Sequence, residues 1–213
     1  MPQVKKPAIE ERITEAARRV FATRGFAATT IAAVAAEAGV STGNVYRYVD
    51  GKDALFALAV PDALARELRR LVRARVRALE GIADVGTLPA GAPYHLLSAE
   101  LLAFCVRHRL AVVIMLGRAA GTRFAGLADA LVRELTRLAL AYGRTLRPPR
   151  AADATTRFVL AQLYRGFVAA MVAILERWDD EAAIAAAVER YADYHLTGLA
   201  RLFAVAPAKE RAS

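Results

Sequence analysis

The fold of this chain is decided at residues 29–54, TTIAAVAAEAGVSTGNVYRYVDGKDA. Apolar and small residues recur there at the spacing of two short helices that pack at a steep angle. Between them stands Gly39, which adopts a left-handed turn at no steric cost. Ser41 then offers its hydroxyl to the free N–H groups that open the second helix. The pattern predicts a helix-turn-helix with a small core of its own, formed by Val34, Ala38, Val40, Val45 and Tyr48.

The side chains left on the outside of this motif suit contact with DNA, because the second helix of such a motif enters the major groove. Thr30 offers a hydroxyl and helix-start N–H groups to a phosphate, Asn44 can pair with adenine, and Arg47 can pair with guanine or phosphate. Gly43 costs its helix about 1 kcal/mol relative to alanine, which makes sense if the backbone comes close to a partner there. We predict DNA contacts from Thr30, Ser41, Thr42, Gly43, Asn44, Tyr46, Arg47, Tyr48 and Lys52.

A family resemblance rests on two stretches of this region. GVSTGNVYRYVDGKDALF, residues 39–56, resembles the operator-binding signature of TetR-type (TetR/AcrR) transcriptional regulators, and AARRVFATRGFAATTIAAVA, residues 16–35, resembles that family's first helix and turn. Two positions depart from the family pattern: Thr42 replaces a residue that is often basic, and Val49 replaces an aromatic residue. The resemblance is strong over roughly the first 55 residues. It implies an all-α fold, with an N-terminal three-helix head containing the helix-turn-helix and an α-helical ligand-binding and dimerisation domain.

Composition favours a polyanionic partner. The 213 residues carry a formal net charge of +9 and have a sequence pI of about 10.2, which supports nucleic-acid binding without locating it. Cys105 is the only cysteine, which argues against disulfides and a cysteine-based metal site, and the three histidines are scattered. Neither a signal peptide nor an uncharged run of about 18 residues stands out. We expect a cytoplasmic protein with no membrane segment, no metal and no cofactor.

The rest of the chain follows a helical pattern broken by Gly and Pro. The predicted domains are 1–52, a helix-turn-helix DNA-binding domain, 53–205, a helical effector-binding and dimerisation domain, and 206–213, a flexible tail. Pro61 should kink one long helix over residues 52–79. The stretch GIADVGTLPAGAP, residues 81–93, is the clearest linker. Further helices are predicted over residues 94–108, 110–118, 122–146, 153–177 and 180–203.

The family resemblance implies two functions for these later helices. The last two helices would pair with those of a second copy, and the residues with suitable spacing are Leu160, Leu163, Phe167, Met171, Leu175, Ile184, Val188, Tyr191, His195, Leu199 and Leu202. Some of these must instead be core within one chain. A pocket for a small, apolar effector would lie among the middle helices, with candidates Phe104, Cys105, His108, Met115, Phe124, Leu127, Leu131, Tyr164, Phe167 and Met171. Each of these could simply be core.

The predicted function is that of a ligand-responsive transcriptional regulator, most simply a repressor, which binds a palindromic double-stranded operator as a homodimer. One alternative is a helical enzyme in which Cys105 is the nucleophile and His108, three residues later, is its base. No carboxylate is placed by the sequence to orient that histidine. A membrane-surface protein is a weaker alternative, because the arginine-rich helix before residue 80 also has a good buried face.

Overall fold

The computed structural model describes residues 6–82, 84–146 and 153–203. Within these ranges the chain forms helices joined by turns and contains no strand, so the prediction of an all-α fold is confirmed. The predicted tail over residues 206–213 lies outside the described ranges. The helices are α1 (Pro7–Ala28), α2 (Ile31–Ala38), α3 (Thr42–Val45), α4 (Lys52–Ala59), α5 (Asp62–Arg77), α6 (Pro93–Arg107), α7 (Arg109–Gly117), α8 (Leu127–Thr145), α9 (Ala154–Arg177) and α10 (Glu181–Phe203).

Helices α1, α2 and α3 form the predicted three-helix head. The first of them is interrupted at Gly25, whose φ of 71° lies in the left-handed region that favours glycine. Its inner face buries Ile13 and Phe21 against Val34 of α2 and Val45 of α3, all with no exposed surface. The predicted small core is therefore present, with Val40 and Tyr48 half-buried at its edge.

From Lys52 onward the chain forms two helices, where the sequence pattern predicted one long, kinked helix. α4 ends at Ala59 and α5 begins at Asp62. The reason is Pro61, which has no N–H to donate and whose ring keeps the preceding residue out of the helical conformation; Val60 has φ −130° and ψ 78°. The break lets α4 pack on α1 while α5 packs on α6 and α8. The domain boundary between residues 52 and 53 stays a prediction.

The body consists of α5 to α10, and most of its helix boundaries agree with the sequence pattern. α6, α7, α9 and α10 begin and end within one residue of the predicted positions. α8 is the exception, because it begins at Leu127 and not at Thr122. Here Gly121 has a φ of 76°, and the Thr122 hydroxyl donates to the carbonyl of Ala119 at 2.7 Å. Such local side-chain bonds compete with the helix and keep this segment in turns.

An aromatic cluster joins the head to the body. Phe56 of α4 contacts Phe21 and Phe26 of α1, with ring centroids 5.2 and 5.4 Å apart, and it contacts Phe124 of the body at 6.1 Å. The guanidinium of Arg123 lies over the Phe124 ring at 4.7 Å. Packed aromatic rings therefore connect the body around Phe124 to α1 and α4.

A buried carboxylate fastens α5 to α8. The side chain of Glu134 is 7% exposed and forms ion pairs with Arg69 and Arg73. Burial alone would raise the pKa of this carboxyl, but the two guanidinium groups, Arg73 above all, hold its pKa below the ordinary value. The pairing keeps the arginine-rich face of α5 turned toward the body at this point.

Helices α9 and α10 divide their apolar residues between the interior and an uncovered face. Of the residues predicted for pairing with a second copy, Leu160, Leu175, Ile184 and His195 are buried within the chain, whereas Leu163 is 38% exposed. The exposed side of α9 carries Phe158, Gln162, Gly166, Ala169 and Ala173.

The apolar character of α9 has a second consequence. By length and composition alone α9 is, among the described helices, the one that could cross a membrane, and 33% of its apolar window is buried inside the chain. Arg165 lies near the middle of this helix. The expected absence of a membrane segment stays a prediction.

Candidate nucleic-acid interface and effector site

The turn between α2 and α3 has the geometry that the sequence predicts. Gly39 has φ 62° and ψ 39°, in the left-handed region. Thr30 caps α2 by accepting the N–H of Ala33 at 3.1 Å, and Ser41 caps α3 by accepting the N–H of Asn44 at 3.2 Å. Because both hydroxyl oxygens act as acceptors in these caps, both hydroxyl protons remain available to a phosphate.

Arg12 of α1 holds this turn in place, a role that the sequence pattern did not indicate. Its guanidinium donates to the carbonyl oxygens of Ala38 and Gly39, at 2.6 and 3.4 Å, at the C-terminal end of α2. A Cβ atom on residue 39 would lie 3.2 Å from the Nη2 atom of Arg12. Gly39 therefore serves both the backbone conformation and the close approach of this clamp.

The outer face of α3 and of the turn that follows it, residues 46–48, is open. Thr42, Gly43 and Arg47 are exposed, and Tyr46 presents 55% of its surface to solvent, which is unusual for a large aromatic residue. A Cβ atom on residue 43 would meet nothing within 4 Å, so the backbone there is accessible to a partner. Asn44 is half-buried. The structure brings these predicted contacts together on one surface, and their role in binding stays a prediction.

Two of the residues predicted to contact DNA, Lys52 and Tyr48, form hydrogen bonds within the head. Lys52 donates from Nζ to the carbonyl oxygens of Phe26 and Ala27, at 3.0 and 3.3 Å, and lies 4.5 Å from the centre of the Phe26 ring. The hydroxyl of Tyr48 accepts the backbone N–H of Lys6 at 3.1 Å. A lysine ammonium has three protons, so Lys52 keeps one for a phosphate while it fixes the end of α1.

Comparison with known proteins identifies this head. The family described as bacterial regulatory proteins, tetR family, matches residues 13–59, which run from α1 to the end of α4. Residues 13–59 therefore form a head of the TetR type. A curated relative, an uncharacterised HTH-type transcriptional regulator YerO of Bacillus subtilis (strain 168), is 46% identical over 50 residues. That match covers 24% of this chain and 17% of the relative, so most of both chains lies outside it.

Solved structures of TetR-type proteins resemble this chain over nearly its whole length at low identity. A TetR-like transcriptional regulator from Rhodococcus sp. RHA1 is 23% identical, with a TM-score of 0.47, and the match covers 94% of this chain and 96% of that one. Thermus thermophilus FadR, a TetR family transcriptional repressor solved with lauroyl-CoA, is also 23% identical, with a TM-score of 0.40 and coverage of 96% and 100%.

Seven of the ten predicted effector residues belong to the connected apolar core, and His108, Phe167 and Met171 are not part of it. Met115, Phe124, Leu131 and Tyr164 are buried, whereas Phe104, Cys105, His108, Leu127, Phe167 and Met171 are half-buried. Their ring contacts within the described residues fall into separate groups. Phe104 packs on His108 at 4.8 Å, Phe124 joins the aromatic cluster between head and body, and Tyr164 and Phe167 pack around His195.

The geometry weakens the enzyme alternative. Burial raises the pKa of the Cys105 thiol to about 12, so this thiol stays protonated at neutral pH and is a poor nucleophile. The pKa of His108 is lowered, first by burial and then by the nearby Arg107 and Arg18. Within the described residues no hydrogen bond joins Cys105 to His108, whose ring packs on Phe104 instead.

His195 is a buried polar residue, and the sequence pattern did not indicate that it would be buried within its own chain. Its ring lies 4.5 Å from that of Phe167, 5.5 Å from Tyr164 and 6.5 Å from Tyr191. The Nε2 atom is buried without a hydrogen-bond partner within the described residues. Burial, and to a smaller extent the charge of Arg75, lowers the pKa of His195 to about 4. The imidazole is therefore neutral at pH 7.

This pKa predicts an acid-sensitive contribution to stability. Between pH 6.5 and 4 the unfolded chain binds a proton at His195 that the folded chain rejects, so stability falls as pH falls through this window. We expect the loss between pH 7 and pH 5 to be about 2 kcal/mol larger in the wild type than in His195→Phe. Urea unfolding of both proteins at the two pH values measures it. Glu134, Asp153 and His108 titrate in both proteins and cancel in the comparison; equal losses would show that His195 is solvated.

Proposed function

We propose that this chain is a cytoplasmic, ligand-responsive transcriptional regulator of the TetR type, most simply a repressor, which binds a palindromic operator as a dimer. The observation that carries DNA binding is the outer surface of α3 and the turn after it, where exposed Tyr46 and Arg47 follow an accessible backbone at Gly43. The capping hydroxyls of Thr30 and Ser41 lie at the starts of two successive helices, where phosphates are commonly bound. The net charge of +9 adds a long-range attraction to DNA.

The test of DNA binding is a mobility shift with the intergenic DNA beside this protein's own gene, searched first for a palindrome. Tyr46→Ala and Arg47→Ala should each weaken binding by about 5- to 150-fold, the range of one lost base-edge contact. Arg66→Ala is the matched control, because Arg66 is equally exposed but lies on α5 in the body. If Arg47→Ala and Arg66→Ala bind alike, α3 is not the recognition helix.

The uncovered face of α9 supports a dimer. Phe158, Gly166, Ala169 and Ala173 leave apolar and small surface in water, with Gln162 on the same face and Arg165 at its edge. Small residues let two helix backbones approach closely, and a second copy would cover this surface from the same face. A helix-turn-helix protein that reads two half-sites also requires two copies.

The effector is proposed to act through the joint between head and body. A dimer places both recognition helices in successive major grooves only at a spacing near one helical turn, about 34 Å. An apolar molecule held among the body helices near Cys105, Met115, Phe124 and Phe167 would displace α5 and the aromatic cluster. Because Phe124 packs directly on Phe56, such a displacement would tilt the head and change the spacing.

Linkage provides the test of this switch. A molecule that lowers operator affinity by a given factor must itself bind more weakly, by the same factor, when operator is present. Typical couplings correspond to about 1–3 kcal/mol. Cys105→Trp, which enlarges a half-buried residue of α6, should blunt this response and leave operator binding in the absence of effector intact. Equal effector affinities with and without operator would mean that the bound molecule is not the switch.

A further inference from the structure

A groove lined by arginines runs along the body between α8 and α9. Its volume is about 500 Å³, within the range of small-molecule sites. Arg133, Arg137 and Arg144 line it from α8, and Arg157 and Arg165 line it from α9. A single acidic residue, Asp129, shares the groove with these five cations, so its lining carries a large excess of positive charge.

These arginines lack the partners that neutralise arginines elsewhere in the body. On α5, Arg70 is paired with two glutamates, Glu67 and Glu100, at 2.7 and 2.8 Å, and Arg69 and Arg73 share the buried Glu134. In the groove, the four arginines other than Arg165 have no hydrogen-bond or ion-pair partner within residues 6–82, 84–146 and 153–203. Arg165 donates to the neutral side chain of Gln162 at 2.8 Å. Like charges held side by side without counter-charges are unfavourable, so an anion in the groove would be stabilised.

The spacing of the guanidinium groups suits an extended ligand with several anionic groups. Arg137 and Arg144 follow Arg133 by four and eleven residues, which places all three on one face of α8. At the rise of an α-helix this row is roughly 16 Å long. Arg157 and Arg165 form a second row on α9, roughly 12 Å long. Guanidinium forks bind phosphate oxygens in pairs, and two facing rows can hold two or more phosphates at once.

The groove also has an apolar floor. Val132, Leu140 and Ala161 lie between the two rows. Thr136 also lines the groove, but its hydroxyl donates to the carbonyl oxygen of Val132 at 2.8 Å, so that proton is not free for a ligand. A purely inorganic ion would leave this floor in contact with water. An organic part of the ligand, planar or aliphatic, would cover it.

One end of the groove lies away from the DNA-binding surface. The C-terminal end of α8 is fixed to the far end of α5, where the Thr145 hydroxyl accepts the N–H of Gly81 at 3.0 Å. The start of α5, by contrast, lies beside the head, where Asp62 pairs with Arg123 of the aromatic cluster. The groove follows α8 from Asp129 to Arg144, so its Arg144 end lies near the far end of α5, where a DNA duplex on α3 does not account for it.

We propose that the groove between α8 and α9 is a binding site for a small organic molecule that carries two or more phosphate groups. It is distinct from the apolar effector region, because the effector candidates of α9, Tyr164 and Phe167, pack on His195, whereas Arg157 and Arg165 face α8. The proposal therefore does not depend on the identity or existence of an apolar effector.

The test uses inorganic tripolyphosphate and adenosine triphosphate as probes, with calorimetric titration of the full chain at low salt. Both should bind, the nucleotide more tightly through the apolar floor. Arg137→Ser combined with Arg157→Ser should weaken both probes by about tenfold or more, since each removes a charge-assisted hydrogen bond. The control combines Arg66→Ser with Arg107→Ser, two exposed arginines outside the groove, and removes the same net charge.

The outcomes separate a built site from general attraction to a basic protein. Retained binding in the control pair supports the groove, as does a partial loss when Arg137 and Arg157 are both changed to lysine, which keeps the charge but not the fork. Equal losses in the groove and control pairs would overturn the proposal. It would also be overturned if neither probe bound, or if duplex DNA of unrelated sequence displaced the nucleotide from the wild type but not from the Tyr46→Ala protein.

Discussion

Replacing Phe56 with alanine is expected to lower the free energy of unfolding by about 3–5 kcal/mol, the usual cost of deleting a fully buried aromatic side chain. Phe56 is 2% exposed and packs on three other aromatic rings, from Phe21, Phe26 and Phe124. Edge-to-face pairs of this kind add to the effect of burial. Because Phe56 contacts rings of both the head and the body, its removal should weaken the packing between them as well as the core.

Urea unfolding followed by circular dichroism measures the change, and a surface deletion of similar chemistry provides the control. Leu96 on α6 is 62% exposed, so Leu96→Ala should change stability by less than about 0.5 kcal/mol. Phe56→Leu, which keeps most of the volume, should fall between the two. If Phe56→Ala lost no more stability than Leu96→Ala, the aromatic cluster would contribute little to holding head and body together.

The second large effect is expected at the exposed face of α9. Ala169→Glu places a carboxylate in the centre of the proposed dimer interface. Arg165 stands one turn earlier on α9, but burying a charge costs at least about 2 kcal/mol even when it is paired. A two-fold interface carries the substitution twice, so the dimer dissociation constant should rise by roughly a thousandfold. Operator affinity should fall with it, because both half-sites must be occupied by one dimer.

Sedimentation velocity over a concentration series measures this shift. Ala63→Glu is the matched control, because Ala63 is an exposed alanine of α5, on another part of the surface. Leu199→Glu is a less suitable probe, since Leu199 packs partly against the core of its own chain and its loss would also destabilise the monomer. A wild type that sedimented as a monomer at micromolar concentration, or an Ala169→Glu protein that dimerised normally, would contradict the proposed interface.

The sequence by itself determined the features that depend on neighbouring residues. The caps at Thr30 and Ser41 each join residues three apart, and the turn at Gly39 needs only a left-handed backbone. The ends of α6, α7, α9 and α10 followed from helical periodicity and from the Gly and Pro residues between them. Family-specific residues in 39–56 carried the resemblance that the comparison confirmed.

Only the tertiary structure decided how residues distant in sequence meet. Arg73 and Glu134 are 61 positions apart, and Lys52 and Phe26 are 26 apart, so no local pattern indicates that the carboxylate is buried or that the ammonium caps α1. The same holds for the arginine groove, whose two rows come from different helices, and for His195, which stands on an apolar stripe and turns out to be buried without a partner for Nε2. Periodicity tells which face of a helix is apolar. Whether that face meets its own chain, a second copy or a ligand depends on the packing of whole helices, which no short stretch of sequence encodes.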